Sequence, residues 1–108
     1  MLDDFQTALP EIIRRLVDAS QPRKIILFGS RAKGNVTPDS DIDLLVIEDS
    51  ILSKHQEIFK LRKALRGILL PFDILVATVE EFETRSTVQS TIFFWAKKEG
   101  RILNDANV

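Results

Sequence analysis

Three aspartates and one glycine–serine turn are the residues of this chain best suited to chemistry. Ten residues separate Gly29-Ser30 from Asp41-Ile42-Asp43, and a third acid, Asp73, stands inside the apolar run Phe72-Asp73-Ile74-Leu75-Val76. Residues two apart on a strand face the same side. Asp41 and Asp43 therefore project together, while Ile42, Leu44 and Val46 face the opposite layer. Asp73, bracketed by Phe72 and Ile74, points away from its apolar neighbours, so pairing of the two strands lets all three carboxylates converge. Carboxylates so placed repel one another and lose solvation where they are partly buried, and no Lys or Arg adjoins them within their strands. A divalent cation is the simplest source of the missing charge. Hard oxygen donors without a neighbouring His or Cys suit Mg²⁺ or Mn²⁺ rather than zinc. Two such ions can clamp the attacking and leaving oxygens of an in-line phosphoryl displacement. The turn supplies the complementary half: Gly29 lets the backbone approach a phosphate, Ser30 and the N–H groups after it can bind phosphate oxygens, and Arg31 and Lys33 are placed to touch the same anion. Alone, each piece is an ordinary turn or a solvated strand edge; their coincidence points to a site for metal and nucleoside triphosphate.

The elements that must position these residues follow from the hydrophobic periodicity. Leu2, Phe5, Leu9, Ile12, Ile13, Leu16 and Val17 recur at helical steps and predict an amphipathic helix over 2–19. Pro10 inside it allows a late start at Thr7-Ala8, a kink, or two pieces. Lys24 to Phe28 reads as a buried strand, residues 30–40 as a loop whose first residues can form one helical turn, and Asp41 to Ile47 as a second strand. Ser50 or Ser53 can cap a helix running to about Arg66, with Ile51, Leu52, Ile58, Leu61 and Leu65 as its stripe and Gly67 at its end. Phe72 to Ala77 is the third strand, Thr78 caps helical pieces that continue to Lys98, and 101–104 suit a last short strand. The order α-β-β-α-β-α implies an α/β (α+β) architecture: a small mixed β-sheet with helices packed on it.

Size and composition narrow the possibilities. The 108 residues, 44% of them hydrophobic, suit one domain over 1–108 with a modest core. A partner or a second copy, as in a homodimer, would be needed to complete any deep cleft. A net charge of −1 gives no global reason to expect nucleic-acid or membrane binding. The absence of cysteine excludes disulfides and thiolate metal sites and agrees with a cytoplasmic setting. No apolar run approaches the roughly 20 residues that span a bilayer, and the acidic start Met1-Leu2-Asp3-Asp4 does not resemble a signal peptide.

The stretch Gly29-Ser30-Arg31-Ala32-Lys33-Gly34 through Ser40-Asp41-Ile42-Asp43-Leu44, followed by Asp73, resembles the signature of the nucleotidyltransferase superfamily that includes DNA polymerase beta. The spacer and the short length are similar to the minimal nucleotidyltransferases, or MNT proteins. Phe94-Trp95-Ala96-x-x-Glu99-Gly100-x-x-Leu103 also looks like that family's ending. The resemblance implies that Asp41 and Asp43 hold the metals, that Asp73 completes the metal site and takes the proton of the attacking hydroxyl, and that Gly29 and Ser30 hold the β- and γ-phosphates. It implies a Mg²⁺-dependent transfer of AMP from ATP to a hydroxyl, with release of pyrophosphate. Minimal members are often antitoxins that adenylylate a tyrosine of a HEPN-type RNase toxin, and this protein is expected to act so. The competing expectation is a binding module of the same fold that inhibits its partner by complex formation. A small-molecule nucleotidyltransferase, acting for example on an aminoglycoside, usually needs a further helical domain.

The remaining candidates read as structure. His55, the single histidine, falls among Lys54, Gln56 and Glu57 and suits a helix surface. Lys60, Arg62, Lys63 and Arg66 form a solvated helix face. Phe93, Phe94 and Trp95 suit core packing, with a hydrophobic partner surface as the sharper option.

Overall fold

The apolar stripe of Phe5, Ile12 and Leu16 turns the N-terminal segment into one amphipathic helix, α1 (Asp4–Ser20). The computed structural model describes residues 4–29, 31, 32, 34 and 41–106. α1 runs unbroken through Pro10, which is exposed, so that water can replace the missing N–H. Two strands follow, β1 (Lys24–Phe28) and β2 (Ile42–Glu48). Helix α2 (Lys54–Ala64) leads to β3 (Phe72–Thr78), then to the short helices α3 (Val79–Arg85) and α4 (Ile92–Glu99), and β4 (Arg101–Asp105) ends the series.

Local chemistry sets the helix boundaries. Of the two serines offered before α2, Ser53 is the cap: its hydroxyl accepts from the Gln56 N–H at 3.3 Å. Thr78 accepts from the Glu81 N–H at 3.0 Å and Thr91 from the Phe94 N–H at 3.3 Å, so each C-terminal helix starts on its own threonine. After α2, Gly67 takes a φ of +93°, the left-handed conformation that stops a helix. Two members of the expected α2 stripe precede the helix, because Ser53 starts it too late to carry them: Ile51 still packs against the core, whereas Leu52 lies in a bend and is fully exposed.

The four strands form one mixed sheet in the order β3-β2-β1-β4. β1 pairs antiparallel with β2 and with β4, and β2 pairs parallel with β3 across the α2 crossover. Alternation divides the sheet into two faces. Ile25, Leu27, Ile42, Leu44, Val46, Ile74 and Val76 pack with Phe5, Ile12, Leu16 and Leu61 beneath α1 and α2. Ile26, Leu45, Ile47 and Ala77, with Phe28 and Leu75 beside them, pack with Phe82, Phe93 and Ala96 of α3 and α4. Each fully buried aliphatic side chain contributes about 1.5–3 kcal/mol, so the strands are held from both sides.

Candidate active site

The site is built where β2 and β3 begin. Asp43 falls in the alternation that carries Leu45 and Ile47, and Asp73 in the one that carries Leu75 and Ala77, so both face the α3–α4 layer. In the parallel register Asp43 stands directly opposite Asp73, with Ile42 opposite Phe72. The Ile42 N–H donates to the Pro71 carbonyl at 2.7 Å and ties the two strand starts together. Asp41, immediately before β2, is exposed, as is Asp73, while Asp43 is half-buried.

Gly29 backs the acids. Across the antiparallel pair its predecessor Phe28 is in register with Asp43. Gly29 has a φ of +77°, and a Cβ placed on it would collide with the Asp43 carboxylate oxygen. Only glycine supplies both that backbone conformation and that closeness. The end of β1 is thereby packed against the central carboxylate.

Burial first, then the charges of Asp73 and Asp41, push the Asp43 carboxyl above its ordinary range. Among the described residues no basic side chain forms an ion pair with any of the three. The donor set is therefore all carboxylate and short of positive charge, which fits a hard divalent cation. The side-chain tips do not meet at one point: among the described residues no group of three His, Cys, Asp or Glu stands close enough to hold a metal ion. Register and face set Asp43 beside Asp73, with Asp41 just before β2.

The other site candidates are placed as follows. Ser30 and Lys33, expected at the phosphate turn, lie outside the described residues, as do residues 35–40 of the expected loop. Arg31 and Ala32 form a turn in which the Gly34 N–H donates to the Arg31 carbonyl at 3.3 Å. The Arg31 guanidinium sits over the Phe5 ring of α1, 5.2 Å from its centroid. His55, Lys60, Arg62 and Lys63 are exposed on α2, as is Arg66 in the turn after it, in keeping with a solvated surface. Phe93 is core, meeting Phe82 edge-on at 6.4 Å, whereas Trp95 stays partly exposed.

Two features have little signal in the sequence. Phe28, Gly29, Trp95, Glu99 and Gly100 line a cavity of about 120 Å³. The Phe-Trp-x3-Glu-Gly ending was its only trace. At the far end of β2, buried Glu48 neighbours Glu57 of α2; burial and this neighbour push its carboxyl up to about 8, while Lys60 pairs with Glu57 at 3.0 Å.

Mixed sheet, flanking helices and strand-start carboxylates beside a glycine turn define a nucleotidyltransferase domain. The model of the nucleotidyltransferase domain family matches residues 9–102, and the chain belongs to that family. It is 44% identical over 46 residues to a candidate protein adenylyltransferase of Methanocaldococcus jannaschii; the match spans 41% of this chain and 46% of that protein's length. The fold is similar to that of a chain in the crystal structure of a toxin-antitoxin with AMP-PNP, with a TM-score of 0.67 and 22% identity over 91% of this chain and 73% of that one. It is also similar to a candidate nucleotidyltransferase from Sulfolobus solfataricus, with a TM-score of 0.56 and 20% identity over 96% of this chain and 97% of that one. Among the described residues no helix is long and apolar enough to cross a membrane.

Proposed function

We propose that this protein transfers AMP from ATP to a hydroxyl of a partner protein, and that it is an antitoxin which silences a HEPN-type RNase toxin by modifying a tyrosine. The observation that carries the reading is the register that sets Asp43 against Asp73 with Gly29 behind them. Support for a protein acceptor comes from the partial match to the archaeal candidate adenylyltransferase, and support for a toxin partner from the toxin-antitoxin fold neighbour.

In this reading Asp41, Asp43 and Asp73 hold Mg²⁺. When bound, the metal would neutralise the charge that builds on the transferring phosphate and its leaving group. Gly29 and Ser30 hold the β- and γ-phosphates, with Arg31 and Lys33 as further anion contacts; to make its contact Arg31 leaves the Phe5 ring of α1. Asp73, exposed at the strand start, takes the proton of the acceptor hydroxyl. The acceptor oxygen then bonds to the α-phosphorus, the bond from that phosphorus to the β-phosphate oxygen breaks, and pyrophosphate leaves. Half-buried Asp43 is the positioning member, fixed by its neighbours on both strands.

The experiment incubates the protein, ATP and Mg²⁺ with the product of the adjacent gene and follows the intact mass of that product. A gain of one or more AMP units, lost in Asp41→Ala and Asp43→Ala, is expected. A second reading, inhibition by binding alone, draws on the open arrangement of the three carboxylate tips. Full neutralisation of the partner by both alanine variants would favour it and overturn the catalytic account.

A further inference from the structure

Helix α2 turns a basic and partly apolar face outward. His55, Phe59, Arg62 and Lys63 fall within about 100° of arc on it, and Arg66 follows in the turn after the helix. Phe59, near the middle of that face, is 67% exposed. Among the described residues Arg62, Lys63 and Arg66 take part in no ion pair, whereas Arg14 and Arg15 of neighbouring α1 are matched by Glu11 and Asp18. Arg62 and Arg66, four residues apart, also line a cavity of about 170 Å³ between the end of α2 and the start of β3. Leu65, Ile68, Phe72 and Ile74 make up much of its apolar lining. Arg15 donates to the Arg66 carbonyl at 2.7 Å, which puts a cation on the negative end of α2 and lessens its repulsion of an anion. β3 is an edge strand, and Phe72 is the chain neighbour of Asp73, so the cavity lies around one sheet edge from the acids.

From this we infer that the Arg62–Arg66 cavity anchors an acidic side chain of the protein that receives AMP. The inference rests on the protein-acceptor reading above and adds to it a docking site for that acceptor. Guanidinium groups hold a carboxylate by charge-assisted, bidentate hydrogen bonds. An apolar cavity of about 150 Å³ takes a benzene ring, so one of about 170 Å³ admits the smaller end of a glutamate or aspartate. Lys63 and Phe59 beside it suit a segment that carries further acidic and apolar side chains. The net charge of −1 disfavours a nucleic-acid backbone as the occupant. The face is about 20 Å long, too small by itself for the roughly 800 Å² per partner of a stable complex, so docking here is transient, as release of a modified product requires. In an extended partner segment, a hydroxyl two to four residues from the anchor lies about 7–14 Å away, enough to round one strand edge.

Steady-state transfer to the adjacent gene's product, at saturating ATP and Mg²⁺, tests this. Arg62→Glu/Arg66→Glu should raise the KM for that protein about 10- to 150-fold, as loss of a charge-assisted hydrogen bond does, with kcat and the affinity for an ATP analogue within about twofold of the parent. Added salt should raise the KM of the parent and leave that of the variant unmoved. Arg62→Lys/Arg66→Lys should keep the salt dependence, and Lys97→Glu, a reversal at an exposed position on α4, should leave KM unchanged. An unchanged KM in a double variant that melts like the parent would overturn the docking site and leave the transfer reading standing; so would a fall in kcat alone. Tighter binding of a short single-stranded oligonucleotide than of the protein, lost in the same variant, would give the cavity to nucleic acid instead. Absence of any transfer by the parent would remove the transfer reading and the docking site with it.

Discussion

Replacing Gly29 by alanine tests the core of the site, because two separable effects meet at that residue. The first is conformational. At φ +77° an L side chain costs about 1–2 kcal/mol of stability. The second is local: the new Cβ collides with the Asp43 carboxylate oxygen. That oxygen ends a short side chain and can swing aside, so the added stability cost is small, but the carboxylate leaves its place beside Asp73. Misplacement of a reacting group by about 1 Å costs on the order of a hundredfold in rate. Gly67→Ala is the internal control, since Gly67 has φ +93° and nothing within 4 Å of an added Cβ. Thermal unfolding should therefore show both variants losing a similar amount, about 4–8 °C for each kcal/mol in a domain of this size. Transfer of labelled AMP should fall at least about a hundredfold in Gly29→Ala alone. If Gly29→Ala transfers AMP within twofold of the parent, the packing of the β1 end against Asp43 does not position the chemistry, and the site as built here is wrong.

Two further outcomes follow from the same electrostatics. Asp43→Asn removes the half-buried member of three mutually repelling carboxylates; it should abolish transfer yet raise the melting temperature at neutral pH, and added Mg²⁺ should raise the melting temperature of the parent more than that of the variant. Glu48 has a folded pKa raised from 4.5 to about 8. Its stabilising contribution is present below about pH 4.5 and lost as pH rises through about 8, with a slope of at most ~1.4 kcal/mol per pH unit. Glu48→Gln should flatten that slope in denaturant melts across pH 5–9 (a range set by about 4.5 and about 8), and an unchanged slope would show that burial beside Glu57 does not raise the Glu48 carboxyl.

Much of this site is legible in one dimension because its signals are local. Period-two alternation alone turns Asp43 and Asp73 away from Ile42, Leu44 and Ile74, and a glycine after a branched-residue strand announces a tight approach. The Ser53, Thr78 and Thr91 caps likewise act over three residues. Pro10 misled only in the options it opened, since one missing N–H on the exposed side does not break a helix held by Phe5, Ile12 and Leu16. Leu52 misled because its helical spacing says nothing about which serine begins the helix.

Chain order and residue type determined the class of chemistry: carboxylates of one strand on one face, a glycine turn before them, and a third acid in a later apolar run. Tertiary structure decided which of these became neighbours. The parallel register of β2 on β3, which sets Asp43 against Asp73, depends on how α2 packs across the sheet, and the meeting of Trp95 with Gly29 depends on α4 settling over β1. So does the buried Glu48–Glu57 pair, formed where a strand end meets a helix. Side-chain direction along one strand is a property of the backbone repeat, whereas register between distant segments is chosen by the packing of the whole core.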